Sequence, residues 1–173
     1  MRSVAGAVLG SLIWLLVAPG LIAGYLPWAI TRWRVQPAFL GTEITRWIGV
    51  ALIVLGLPLL LEAFARFALQ GRGTPAPVLP PERLVVFGFY RNVRNPMYVA
   101  VTALILGQAL LLADARLFLL AGTAWLVFHL FVLLYEEPRL RQRFGADYAA
   151  YCAAVPRWVP RFRPWQRRAE GAE

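Results

Sequence analysis

Apolar positions run through this chain in four long blocks, each closed by a short polar break, with none of the two-residue alternation that would announce strands. The first block covers residues 4–30 and exceeds the roughly 20 residues that cross a bilayer untilted. Pro19-Gly20 interrupts it near the middle, so the pattern predicts one long kinked helix, with a helix-break-helix pair as the alternative. The run is too long for the apolar core of a signal peptide and shows no clear cleavage site before a polar start, so it is read as structure. Residues 31–46 hold Arg32, Arg34 and Arg46, with Trp28, Trp33 and Trp47 marking the edges, which is the chemistry of a membrane interface. A second helix is predicted over residues 47–69. Near its end Glu62 and Arg66, four residues apart, share a face and are expected to pair, with substrate contact as the other role. Residues 70–83 read as a loop, because Gly71, Gly73, Pro75, Pro77, Pro80 and Pro81 deny the backbone regular structure. A third helix is predicted over 96–112, with Pro96 suited to its first turn. After the polar break at residues 113–116, a last span over 116–135 would be about 30 Å long.

The predicted fold class is therefore all-α: a polytopic membrane helix bundle of about four transmembrane helices, a fifth left open, ending in a C-terminal amphipathic surface segment. Composition strengthens this. The chain is 60% apolar with a mean hydropathy of +0.59, outside the range of an ordinary soluble domain. Its 173 residues form a single membrane domain, with N-terminal helices over 1–69. All 18 basic residues are Arg, against nine acids. Because they flank apolar helices, the partners expected are membrane lipids and anionic headgroups, and no nucleic acid. With four spans and a cytoplasmic N-terminus, 13 Arg fall on the cytoplasmic side and four outside, which predicts both termini in the cytoplasm of an inner or plasma membrane protein. Eight Arg lie from Arg139 onward, interleaved with Phe144, Tyr148, Tyr151, Trp158, Phe162 and Trp165, and this tail is expected to lie along the membrane surface. A lone Cys152 fits a reduced compartment, and one His with scattered acids supplies no metal ligand set. Oligomeric state is not written in these features.

Two polar clusters carry the candidate chemistry. The first runs from Gly88 through Arg94, Asn95, Pro96 and Met97 to Tyr98; the second begins at Glu136-Glu137 and runs through Leu140 to Phe144-Gly145. One helical hairpin separates them, so both reach the same membrane face, where they can build a cofactor site.

The residues resemble the isoprenylcysteine carboxyl methyltransferase family and its phospholipid methyltransferase relatives. The resemblance rests on Leu84-Val85, Gly88, Tyr90, Arg94-Asn95-Pro96 and Tyr98, then Glu136-Glu137, Leu140, Phe144-Gly145, Tyr148, Tyr151 and Val155-Pro156, over a core of about 84–160. It implies S-adenosylmethionine as cofactor, lined by Leu84, Val85, Tyr90, Asn95, Pro96, Met97, Tyr98 and Glu137, with Glu136 beside it; Arg94, by its own charge, is a further candidate for the cofactor carboxylate. Such a ligand asks for carboxylates near its cationic groups and apolar or aromatic walls near its base. Two positions depart from the prenylcysteine enzymes. Asn95 stands where they typically carry His, and an amide cannot titrate. Residues 131–134 are apolar where they place an Arg before the acidic pair, which argues against a prenylcysteine carboxylate as acceptor.

The function expected is methyl transfer to a lipid or amphipathic acceptor. The alternatives are a nicotinamide-dependent membrane reductase and a non-catalytic lipid-binding or scaffold protein. If the acceptor is an amine, a base must take its proton, and Glu136 or His129 is the candidate; seven residues apart, they would share a helix face. Plainer roles stand beside these: lipid phosphate for Arg94, interfacial anchoring for Tyr90 and Tyr98, solvated helix-end charges for the acidic pair, packing with a carbonyl hydrogen bond for His129, and close helix approach for Gly107.

Overall fold

In the computed structural model, which describes residues 4–70 and 84–166, the apolar blocks are helices, and no strand occurs among the described residues. The first block is one continuous, irregular helix: α1 (Val4–Pro19), a π-helical turn (Gly20–Tyr25) and α2 (Leu26–Thr31). Pro27 explains part of the irregularity. Its nitrogen has no hydrogen to give the Ala23 carbonyl one turn back, and Gln108 Nε2 donates to that carbonyl instead, at 2.7 Å. The helix stops where Arg32 and Trp33 take positive φ of 50° and 52°, while Thr31 Oγ1 donates to the Pro27 carbonyl at 2.7 Å and accepts from the Trp33 N–H at 3.0 Å.

α3 (Ile44–Gln70) lies against α4 (Pro96–Leu112), and small residues set their separation. A Cβ on Gly49 would stand 2.6 Å from the Gly107 carbonyl oxygen, and one on Gly107 would stand 2.8 Å from that of Gly49. These backbones touch as only glycine permits, which is the packing role expected of Gly107. α4 is the central helix: Ala100, Ile105 and Ala109 are fully buried against Leu60 and Phe64 of α3 and Leu117 and Ala121 of α5 (Arg116–Phe131). Large side chains such as Leu16, Leu55 and Leu119 point outward, as lipid contact requires. At the far end of α4, Ala113 turns the chain with φ of 55°, the buried Asp114 accepts from the Arg116 N–H and guanidinium, and the Gln36 N–H reaches the Leu112 carbonyl at 2.9 Å.

The last helix corrects an expectation. Instead of ending near residue 135, α5 passes through a π-helical turn (Val132–Glu136) into α6 (Glu137–Ala154), giving a helical segment of 39 residues that is interrupted only at Gly145. Pro138 lies in the first turn of α6, directly after the π-turn, where the loss of its N–H is absorbed. Gly145, with φ of 49° and ψ of −121°, bends α6. Three helices are long and apolar enough to cross a membrane, Val8–Thr31, Ile44–Arg66 and Arg116–Ala154, and Pro96–Leu112 is a shorter apolar helix. The loop expected over 70–83 lies outside the described residues from position 71.

Candidate functional site

Gly88 opens the first cluster with φ of 55° at the head of a 3-10 turn (Gly88–Arg91). The turn delivers Tyr90 inward against Ala63 and Val85, with Met97 beside them. Burial pushes the Tyr90 phenol well above its usual range, with the nearby Glu136 carboxylate as the next cause, so it stays neutral. Tyr151 donates to the Tyr90 carbonyl at 2.6 Å, fixing the turn to α6. Pro96 then starts α4, and the buried Asn95 before it donates from Nδ2 to the Arg157 carbonyl at 3.2 Å.

Glu137 organises the second cluster. Its side chain is 6% exposed. It accepts from Arg94 at 3.1 Å and from Arg157 at 2.6 and 3.0 Å, and Arg141 stands 3.7 Å away. Such enclosure of a carboxylate requires countercharge, and three guanidinium groups supply it. Arg94 also donates to Cys152 Sγ at 2.8 Å, while its Nε is buried with no partner among the described residues.

Residues 155–166 fold back over the first cluster as a strap. The Arg94 N–H donates to the Pro156 carbonyl at 2.9 Å, the Arg161 N–H to the Asn92 carbonyl at 2.9 Å and the Trp165 N–H to the Arg91 carbonyl at 2.8 Å. Asn92 Nδ2 and Arg91 Nε return hydrogen bonds to the Arg161 and Trp165 carbonyls. The tail expected to lie along a membrane surface is thus held to the site. Val159 and Phe162 nevertheless remain exposed on its outer side.

Tyr98 joins the polar cluster to an apolar one. Its hydroxyl donates to Glu136 Oε2 at 3.1 Å, and its ring stacks on Phe128 with centroids 4.7 Å apart. Tyr98 also lines a cleft of about 340 Å³ whose other walls include Trp14, Ile22, Phe64, Met97, Phe128 and Phe131. A cleft so apolar, between helices of membrane-spanning length, suits a hydrocarbon chain.

Of the residues singled out in the sequence, Arg94 and Glu137 meet directly and Tyr98 meets Glu136; Val85, Tyr90 and Met97 pack together behind them, next to the buried Asn95 and Pro96. Leu84 faces elsewhere, against the cluster of Tyr148, Tyr151 and Val155. His129 accepts through Nδ1 from Trp158 Nε1 at 3.0 Å and stacks on Trp125, so its partner is the strap rather than a carbonyl. The π-turn also breaks the even spacing that would have aligned His129 with Glu136. Sequence reading did not assign Arg157 or Trp158 to the site, and it placed Arg91 and Asn92 in the first cluster without a partner. The one available signal was the acidic pair, which needed more compensation than its neighbours offered. No group of three or more metal-ligating side chains is found among the described residues.

Residues 44–147 match the family model for phospholipid methyltransferases, a span that begins with the first residue of α3 and holds both polar clusters. The comparisons with curated proteins and with solved structures find no match. The family match takes in more than half of the chain, three of the chain's described helices are of membrane-spanning length, and the two clusters converge beside an apolar cleft: this integral membrane protein belongs to the phospholipid methyltransferase family.

Proposed function

We propose that the chain is an S-adenosylmethionine-dependent methyltransferase whose acceptor is a membrane lipid bearing a neutral nucleophile, an aminophospholipid first among them. The observation that carries this reading is Tyr98, a single side chain that lines the apolar cleft and hydrogen-bonds Glu136. The residues fit the donor in one further respect: the buried Arg94 Nε, lacking a partner among the described residues, is a donor matched to a carboxylate. When bound, S-adenosylmethionine supplies an electrophilic methyl group, whose carbon–sulfur bond breaks, leaving its electron pair on sulfur, as a carbon–nitrogen bond forms. The protein's residues hold and align. Val85, Tyr90, Asn95, Pro96 and Met97 wall the donor, Arg94 and Glu137 fix its polar end, and the strap excludes water. Glu136, oriented by Tyr98, takes the proton that the amine must lose, with His129 as the second candidate. The apolar stretch before Glu136 leaves a carboxylate acceptor without a cation and disfavours it.

The test is transfer of labelled methyl from S-adenosylmethionine in liposomes containing phosphatidylethanolamine or a farnesylcysteine analogue. Label in the lipid is expected, and label confined to the farnesylcysteine analogue would refute the acceptor. Glu136→Gln should lower kcat on the order of 10² to 10⁴-fold with donor affinity retained. The wild-type rate should fall as acid protonates the amine and the base. An unchanged kcat would take Glu136 out of proton transfer.

A further inference from the structure

Glu62 lies two turns before the end of α3, inside the family match, with its carboxylate pressed on the backbone of Gly88. A Cβ at position 88 would overlap Glu62 Oε1 and come within 2.8 Å of the carboxylate carbon, so glycine there meets two demands, a positive φ and room for this side chain. The two carboxylate oxygens differ. Oε1 accepts from Arg66 Nε at 2.9 Å, whereas Oε2 is shut off from solvent and has no hydrogen-bond partner among the described residues. Arg66 is spent only through Nε, and its side chain is 44% exposed. Glu62 also lies within electrostatic reach of Tyr90, which Glu136 approaches as well. An ion pair serving only the helix would close on itself or face water. This one leaves a buried acceptor open within electrostatic reach of Tyr90 and keeps guanidinium N–H groups open beside it.

We propose that Glu62 seats the primary ammonium of a ligand, with Arg66 beside it for the anion of the same zwitterion. This rests on the methyltransferase reading above. That reaction offers two such zwitterions, the amino-acid end of the methyl donor and the aminoethyl phosphate headgroup of the acceptor lipid. Both carry an ammonium a few bonds from an anion, and both belong at this end of the helices.

The experiment uses the full chain in detergent. Affinity for S-adenosylhomocysteine, which keeps the amino-acid end without the transferable methyl, is measured by isothermal titration for wild type, Glu62→Gln and Glu62→Asp. KM for phosphatidylethanolamine is measured in mixed micelles, and thermal unfolding is followed for each variant. If the donor's ammonium sits on Glu62, Glu62→Gln weakens S-adenosylhomocysteine roughly tenfold to hundredfold and leaves the lipid KM unchanged. If the acceptor's does, donor affinity is unchanged and the lipid KM rises by the same factor. In both cases Glu62→Asp, which keeps the charge, recovers part of the loss. Unchanged affinity and KM in both variants would overturn the proposal, as would an equal loss in both that follows their melting temperatures. Wild-type protein that binds no S-adenosylhomocysteine and methylates no lipid would refute the methyltransferase reading itself, before any variant is compared.

Discussion

Glu137 carries one negative charge among three guanidinium groups, and the surplus positive charge it leaves is available to a carboxylate or a phosphate. Its contribution divides unequally among the partners. Arg94 is 10% exposed and Arg141 is 64% exposed at 3.7 Å, so the first pairing is enclosed and the second is largely screened. Glu137→Gln, which strands Arg94, is expected to cost about 3 kcal/mol in chemical or thermal unfolding, while Arg141→Gln should cost at most about 0.5 kcal/mol. Equal losses would show that Arg141 is held as tightly as Arg94. At the opposite end of the bundle, hydrogen bonds from the Arg116 side chain hold the Asp114 carboxyl below the usual carboxylate range, against the opposing effect of burial. A depressed pKa contributes stability that is full above the unfolded value near 4 and fades as pH falls through the folded value. The melting temperature of wild type should therefore exceed that of Asp114→Asn at neutral pH, and the gap should close in acid. Much of this was readable residue by residue: the acidic pair, Arg94 and Tyr98 stood out by type and spacing. The nearest partner of Glu137 did not. Arg157 lies twenty positions further on, beyond the bend at Gly145, and nothing in local spacing connects them.

Helices in this protein are shaped by where a carbonyl loses its donor. Pro27 frees the Ala23 carbonyl, and Gln108 on α4 satisfies it, so a proline in one helix is matched by an amide in another. Gln108→Leu should destabilise the protein by about 1 to 3 kcal/mol, the cost of an unsatisfied group away from water, measurable as a lowered unfolding midpoint. Gly107→Ala adds a methyl group where the Gly49 carbonyl oxygen already stands and should cost about 1 to 3 kcal/mol. Wild-type stability in that variant would show that α3 and α4 can slide apart freely. The irregular turn that starts at Gly20 was legible because proline and glycine announce it. The continuity of α5 into α6 was not, because Glu-Glu-Pro reads as a stop and a π-helical turn has no composition of its own.

At the scale of the whole molecule, the Gln36 N–H bonded to the Leu112 carbonyl gathers the loop after α2 and the turn after α4 at one end, while both polar clusters lie at the other. The Arg asymmetry proposes which end meets the cytoplasm. Reporter fusions at Gln36 and Asp114 should agree with each other, and a fusion after Gln166 should report the cytoplasm on the opposite side. Agreement of all three would reverse the argument. The bundle was legible because hydropathy alone dictates it; the strap was not, because its hydrogen bonds run between backbone groups that carry no sequence signature.

That strap follows all the described helices in the chain. Docking of residues 155–166 needs both polar clusters already in place, so insertion of the helices and completion of the site are separable steps. A chain whose helices are integrated but whose strap has not docked lacks Arg157 on Glu137 and Trp158 on His129. Abundance in the membrane is then a poor proxy for working enzyme, and quality control that inspects only the bilayer-embedded part would pass both forms alike.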